Sequence, residues 1–266
     1  MTPSTKPSPA GSDSALAAAA ASNDSVAARG KLTPLRPVNL VAPLAADRAT
    51  DDKLLEGGRS SAAGRVYQSF KRVFDLAGGL ALLLIASPVI LIAALFIRLE
   101  TKGSPFFIQT RLGEGGKPFK IFKLRGMFID ARERFASYYD YSQHRDLEFC
   151  FHHEQDPRVT RAGKLIRKTS IDELPNLWNV VVGDMSLVGP RPEIPEVLAL
   201  YGPYRDEYLS VKPGITCLSK VTGRDRLTKK ETIHFDLNYI RKQSFSLDLQ
   251  ILWRTFRGVV LRRDVF

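Results

Sequence analysis

Leu76 to Ile97 (LAGGLALLLIASPVILIAALFI) runs for 22 residues without a charge, and no other feature of the chain restricts its fold as strongly. As a helix rising 1.5 Å per residue it reaches about 33 Å, enough to cross a bilayer core of about 30 Å. Ser87-Pro88 falls in its middle, where proline removes an intrahelical donor and crowds the preceding turn. Each half alone is too short to cross. Lys71 and Arg72 precede the stretch, and Arg98, Lys102, Arg111, Lys117, Lys120, Lys123 and Arg125 follow it. Positive charge on both sides conflicts with a single crossing, since basic flanks stay in the cytoplasm. A kinked helix that dips into the bilayer and returns to the same face removes the conflict. An ordinary transmembrane helix with a tolerated proline is the alternative, and pattern alone does not separate the two. A buried helix of a soluble protein is a poor third.

Charge says what such a chain meets. The formal net charge is +11, which points to an anionic partner: phospholipid headgroups, a phosphorylated substrate or nucleic acid. The first 64 residues hold 15 Ala, 8 Ser and 6 Pro, no aromatic residue and nearly balanced charge. They cannot bury enough apolar surface to offset chain entropy, so 1–64 reads as a disordered tail and the charge belongs to the rest. Ala15–Ala21 resembles a weak signal-peptide core, but it contains one Leu and no basic cluster precedes it. Two cysteines, Cys150 and Cys217, in no metal-like spacing exclude a disulfide framework or zinc ribbon and suit a reducing compartment.

Beyond the apolar stretch, PFFIQTR (105–111) and PFKIFKL (118–124) flank a glycine-rich connection, which is a hairpin signature. Polar, helix-compatible sequence runs from about Met127 to His153. Near the C-terminus Leu249, Leu252, Trp253, Phe256 and Val260 share one helical face, with Gln250, Arg254 and Arg257 largely off it. Such a helix suits a membrane interface, or packs on the domain core.

Three polar clusters can carry chemistry. In RKTSIDELP (167–175), Leu174, Leu177, Trp178 and Val181 recur at helical spacing and Gly183 supplies a stop, so a helix of about ten residues begins near Asp172. Ser170 and Glu173 fit a capping box, and spacing alone favours that reading. Adjacent carboxylates beside basic residues can instead divide labour, one holding a divalent cation and the other attacking phosphorus. In GDMSLVGPRPE (183–193), Pro190 and Pro192 fix the backbone around Arg191, whose planar fork matches phosphate oxygens; a rigid surface loop fits equally. The third cluster comprises Lys212-Pro213-Gly214-Ile215-Thr216 and Thr222-Gly223-Arg224-Asp225, two turns with basic residues. His144, His152, His153 and His234 show no ligand spacing, and neither phosphate-loop nor dinucleotide fingerprints occur.

Taken in order, these segments resemble the bacterial sugar transferases, monotopic polyprenyl-phosphate hexose-1-phosphate (phosphoglycosyl) transferases of the small type consisting of the catalytic domain. The resemblance covers about 70–266. It rests on KRVFD (71–75), the Ser87-Pro88 segment, GSPFFIQTRLGEGGKPFKIFKLRGM (103–127), DPRVTRAGKLIRKTSIDELPNLWNVVVGDMSLVGPRPE (156–193), VKPGIT (211–216) and TGRD (222–225). It implies an α+β fold, mainly helical with a β-hairpin: a tail over 1–64, a re-entrant membrane helix-turn-helix over 65–102 with Ser87 and Pro88 at its bend, and a cytoplasmic catalytic domain over 103–266 with interfacial amphipathic helices. It further implies transfer of a sugar-1-phosphate from a nucleoside diphosphate sugar, usually a UDP-sugar, to polyprenyl phosphate. Asp172 would be the nucleophile of a covalent aspartyl phosphosugar and Glu173 would bind Mg²⁺. Arg167, Arg191, Lys123 and Arg224 become candidate phosphate contacts, with Lys71 and Arg72 at headgroup level near the lipid phosphate. The expected setting is the cytoplasmic face of a bacterial inner membrane, with nucleotide sugar, polyprenyl phosphate and phospholipid as partners, in exopolysaccharide or lipopolysaccharide synthesis.

Two departures stand out. The family commonly has Lys-Phe-Arg-Ser/Thr-Met where this chain has Lys123-Leu124-Arg125-Gly126-Met127. After PGIT it usually has Gly, an aromatic and Gln-Val before Gly-Arg-Asn, where this chain runs Cys217-Leu218-Ser219-Lys220-Val221-Thr222-Gly223-Arg224-Asp225. A catalytically silent membrane scaffold of the same fold is therefore a second expectation. Nucleic-acid binding rests on charge alone, without a recognition motif.

Overall fold

The computed structural model describes residues 62–139, 156–223 and 226–261, and side chains within 66–259 of these. Nearly all of the alanine-rich tail, Cys150, three of the four histidines and Arg224 lie outside the described residues.

The apolar segment is one helix, α1 (Ala62–Glu100), with Pro88 inside it. No turn separates its halves, in contrast to the helix-turn-helix expected over 65–102. Local chemistry explains the continuity. Pro88 has no N–H to offer the Leu84 carbonyl one turn earlier, and the Ser87 hydroxyl donates to that carbonyl at 2.8 Å. The serine replaces the donor that the proline removes.

Helix α1 has two dissimilar faces. Asp75, Ala86, Ile90, Ala93, Ala94 and Ile97 are buried, at the three- and four-residue steps of one stripe. Leu84, Ile85, Leu91, Ile92, Leu95, Phe96 and Leu99 are exposed, an apolar strip without parallel on an ordinary soluble surface. Both ends of α1 are bonded to the domain that follows. At the N-terminal end, Asp75 accepts the Leu187 N–H at 2.9 Å, and Arg72 donates to the Val180 and Val181 carbonyls at 2.7 and 2.8 Å. At the other end, Glu100 accepts the N–H groups of Arg161 and Ala162 at 2.9 and 2.8 Å.

The hairpin forms as expected: β1 (Phe106–Leu112) pairs antiparallel with β2 (Pro118–Leu124), from Phe106 opposite Leu124 to Leu112 opposite Pro118. A short α2 (Ala131–Arg134) precedes the gap in the described chain, and α3 (Arg161–Lys168) follows it, capped by the Thr160 side chain. A 3₁₀ turn over Ile171–Asn176 then leads into α4 (Leu177–Val182). The helix expected from Asp172 onward is thus split, its first turn tightened where Pro175 can offer no N–H. It stops at Gly183, whose φ of 99° suits glycine.

A parallel pair that the sequence did not announce joins β3 (Ser186–Val188) to β4 (Gly214–Thr216). Between them the chain forms α5 (Pro195–Leu198) and α6 (Arg205–Tyr208). The pairing brings GPRP against PGIT so closely that a Cβ on Gly214 would lie 2.1 Å from the Gly189 nitrogen. The remaining elements are α7 (Leu218–Thr222), α8 (Lys229–Arg241) and α9 (Phe245–Leu261). Helix α9 divides its faces: Asp248 and Ile251 are buried, while Leu249, Trp253 and Phe256 are exposed and the last two rings stack. It therefore packs on the core and also presents the aromatic stripe that suits an interface.

Candidate active site

Asp172 and Glu173 occupy the first positions of the 3₁₀ turn, which is entered through Ser170 in the left-handed region, φ 56°. Ser170 is the only non-glycine residue with positive φ among the described residues, a conformation costly for a side chain and common beside functional groups. The capping box expected from Ser170 and Glu173 does not form: the serine side chain caps nothing. Glu173 cannot supply the box's second half because its carboxylate points elsewhere. Thr228 and Glu231, at the start of α8, do form such a box.

Two asparagines set the turn against the hairpin. Asn176 accepts the Phe122 N–H at 3.0 Å and Asn179 donates to the Lys120 carbonyl at 2.7 Å, occupying the edge of β2 as a third strand would. This brings Lys123, on β2, to Glu173 Oε1 at 3.0 Å. Lys220, on α7, reaches Glu173 Oε2 at 2.5 Å, and the Arg191 guanidinium lies 4.0 Å from Oε1.

The two neighbouring carboxylates are electrostatically opposite. Burial pushes the Glu173 carboxyl up, but Lys123, Lys220 and Arg191 together outweigh it and hold the group well below the usual range. Asp172 makes no hydrogen bond or ion pair among the described residues. Burial raises its carboxyl above the ordinary value and the Glu173 charge raises it further, against Lys123, Arg167 and Lys220. One carboxylate is neutralised and fixed; the other is uncommitted and more basic, the division that lets one acid serve as nucleophile.

The sequence candidates separate accordingly. Lys123, Arg167 and Arg191 converge on the acidic pair, Arg167 also lying 3.9 Å from Asp156. Lys71 and Arg72 do not join them: Lys71 pairs with Asp248 on α9 at 2.7 Å, and Arg72 holds the C-terminal carbonyls of α4. Pro190 and Pro192 flank an Arg191 whose backbone is fixed from both sides, its N–H donated to Asp236 at 3.2 Å and its carbonyl accepting from Tyr208 at 2.9 Å. Two residues were missed as site candidates. Lys220 appeared only as a departure from the family pattern, and Arg111, which lines the same pocket as Lys123, Glu173, Arg191 and Lys220, only as a flanking charge. PFFIQTR holds one basic residue and 217–225 two against one acid, which marks neither as a site residue.

Among the described residues no group of three or more His, Cys, Asp or Glu could by itself cage a metal ion. Both Glu173 oxygens hold a lysine ammonium, so a Mg²⁺ on this pair would take the place of one lysine and draw its other ligands from Asp172, substrate phosphates and water.

Comparison with known proteins identifies relatives of this chain. Residues 66–262 match the family model described as bacterial sugar transferase. The chain is 40% identical over 196 residues to a UDP-galactose-lipid carrier transferase of Erwinia amylovora, covering 73% of this chain and 41% of that protein. It is 38% identical over 209 residues to the undecaprenyl-phosphate galactose phosphotransferase of Salmonella typhimurium, covering 77% of this chain and 43% of that protein. The chain therefore spans well under half the length of these two relatives. Against the exopolysaccharide production protein ExoY of Rhizobium meliloti, 34% identical over 198 residues, coverage is 74% of this chain and 88% of the relative. With its acidic pair, cationic pocket and apolar helix on matched residues, the chain belongs to the bacterial sugar transferase family.

Proposed function

We propose that this protein transfers a sugar-1-phosphate from a nucleoside diphosphate sugar, with a UDP-sugar as the donor class, to undecaprenyl or a similar polyprenyl phosphate. The observation that carries this reading is the uncommitted Asp172 carboxylate beside a Glu173 clamped by cations. An Asp172 oxygen attacks the sugar-linked phosphorus, the bond from that phosphorus to the bridging oxygen breaks, and the nucleoside monophosphate leaves with the electron pair. A phosphate oxygen of the polyprenyl acceptor then attacks the same phosphorus and releases Asp172, giving a polyprenyl diphosphosugar. Arg111, Lys123, Arg167, Arg191 and Lys220 outnumber the two acids, so the pocket retains positive charge for a diphosphate. Mg²⁺, when bound by Glu173 and the phosphates, would neutralise further charge there. Arg224 is proposed as an additional phosphate contact and Lys71 and Arg72 as residues near the headgroups, from motif position alone.

The same reading puts the protein on one face of the membrane, the cytoplasmic face of a bacterial inner membrane, with α1 re-entrant. In its support, residues near both ends of α1 bond to one domain, as expected of a segment that enters and leaves on the same face. Both flanks are basic as well. Cysteines introduced in the 1–64 tail and near residue 110 should then be labelled from the same side of inverted vesicles. Labelling from opposite sides would restore a spanning helix.

Activity is tested by incubating purified protein with a panel of UDP-sugars, Mg²⁺ and a short polyprenyl phosphate. The expected result is UMP release with at least one donor, dependent on acceptor for turnover. No release across the panel would favour the silent scaffold.

A further inference from the structure

We propose that Asp236 is a positioning residue that, through Ser219, holds Lys220 on Glu173 and, through the backbone of Arg191, holds the second loop of the same pocket; this rests on the diphosphate reading above.

Asp236, on α8, is 0% exposed. It accepts hydrogen bonds from Ser219 Oγ at 2.8 Å, from the Arg191 N–H at 3.2 Å and from Tyr208 at 3.0 Å. The first two donors belong to the two loops whose cations surround Glu173, and those loops are already backed against each other at Gly189 and Gly214. One buried carboxylate thus braces both from behind while touching neither cationic head.

Successive residues on a helix point in different directions, and α7 uses this. Ser219 faces back to Asp236, while its neighbour Lys220 faces forward to Glu173. Ser219 supplies the hydroxyl that reaches Asp236, and Lys220 supplies an ammonium to the pocket. The two read as a charge and the anchor that aims it. Burial raises the Asp236 carboxyl, against the hydrogen bonds from Ser219, Arg191 and Tyr208, so an asparagine that keeps an acceptor for Arg191 is a fair conservative replacement.

The test is equilibrium binding of inorganic pyrophosphate, followed by calorimetry on the full chain in detergent, with thermal unfolding recorded alongside. Lys220→Gln removes one charge-assisted contact and should weaken binding about 10- to 100-fold. Ser219→Ala, which keeps the lysine and loses its anchor together with a 3.1 Å contact to Cys217 Sγ, should weaken it about 3- to 10-fold. The double variant should bind within about twofold of Lys220→Gln alone, because the serine acts only through the lysine. Asp236→Asn should recover most of the affinity that Asp236→Ala loses. Where Asp236→Ala does not fold, the Ser219 and Lys220 variants carry the test. Unchanged affinity in Ser219→Ala, or a full additional loss when it is added to Lys220→Gln, would overturn the proposal. A wild-type protein that does not bind pyrophosphate would overturn the diphosphate reading, and this proposal with it.

Discussion

Asp172→Asn should leave no phosphosugar adduct on the protein and lower turnover by at least about 10⁴-fold, the scale on which removal of a catalytic nucleophile is felt. Intact-mass analysis after mixing with a reactive UDP-sugar checks the first and UMP release the second; an undiminished adduct would remove Asp172 from the reaction. The substitution is almost isosteric, and among the described residues Asp172 makes no hydrogen bond that an amide would break, so the fold should be unaffected. The same carboxylate sets a pH limit. Its carboxyl is raised by burial and then by Glu173, and only the ionised form attacks. Adduct formation should therefore fall as pH is lowered through a value above that of an ordinary aspartate, with no loss from this group on the alkaline side.

Asp248→Ala should cost about 3–5 kcal/mol, the usual loss when one partner of a buried ion pair is removed. For a domain of this size that appears as a fall in Tm of roughly 10 °C. Asp248 accepts from Tyr67 at 2.8 Å, Lys71 at 2.7 Å and Tyr239 at 2.7 Å. Its removal strands the Lys71 ammonium and the Tyr67 hydroxyl, while Tyr239 keeps the Val188 carbonyl at 3.1 Å; two edge-to-face ring contacts of Phe245, with Phe70 and Phe74, complete the joint. Lys71→Met in the Asp248→Ala background should restore part of the loss, since the stranded charge is its larger component. Thermal unfolding in detergent reads both. A Tm unchanged by Asp248→Ala would mean that α1 and α9 are held by apolar packing alone.

Much of this was legible in order along the chain. The apolar segment, the hairpin, the helix after Asp172 and the C-terminal amphipathic helix each leave a local trace, in hydrophobic period or turn chemistry, because their hydrogen bonds close within a few residues. Spacing misled where local and long-range partners competed. Ser170 and Glu173 have the sequence of a capping box, but two ammonium groups from distant segments take the glutamate, and a charge-assisted bond in a buried site outweighs a neutral cap. Lys71 and Arg72, placed near headgroups by their position beside an apolar helix, also have partners that no spacing announced: a buried carboxylate and a helix C-terminus.

The 22 uncharged residues with Ser87-Pro88 among them determined by themselves a helix long and apolar enough to enter a membrane, and the motif order determined its family. Only the tertiary structure decided which charges serve the site. Lys123, Arg191 and Lys220 lie 50, 18 and 47 positions from Glu173, and no periodicity relates them. They meet because Asn176 and Asn179 dock the acidic turn on β2, and because two glycines let the GPRP and PGIT backbones touch. An ion pair depends on distance in space, and spacing along the chain says nothing about that distance until packing has set it.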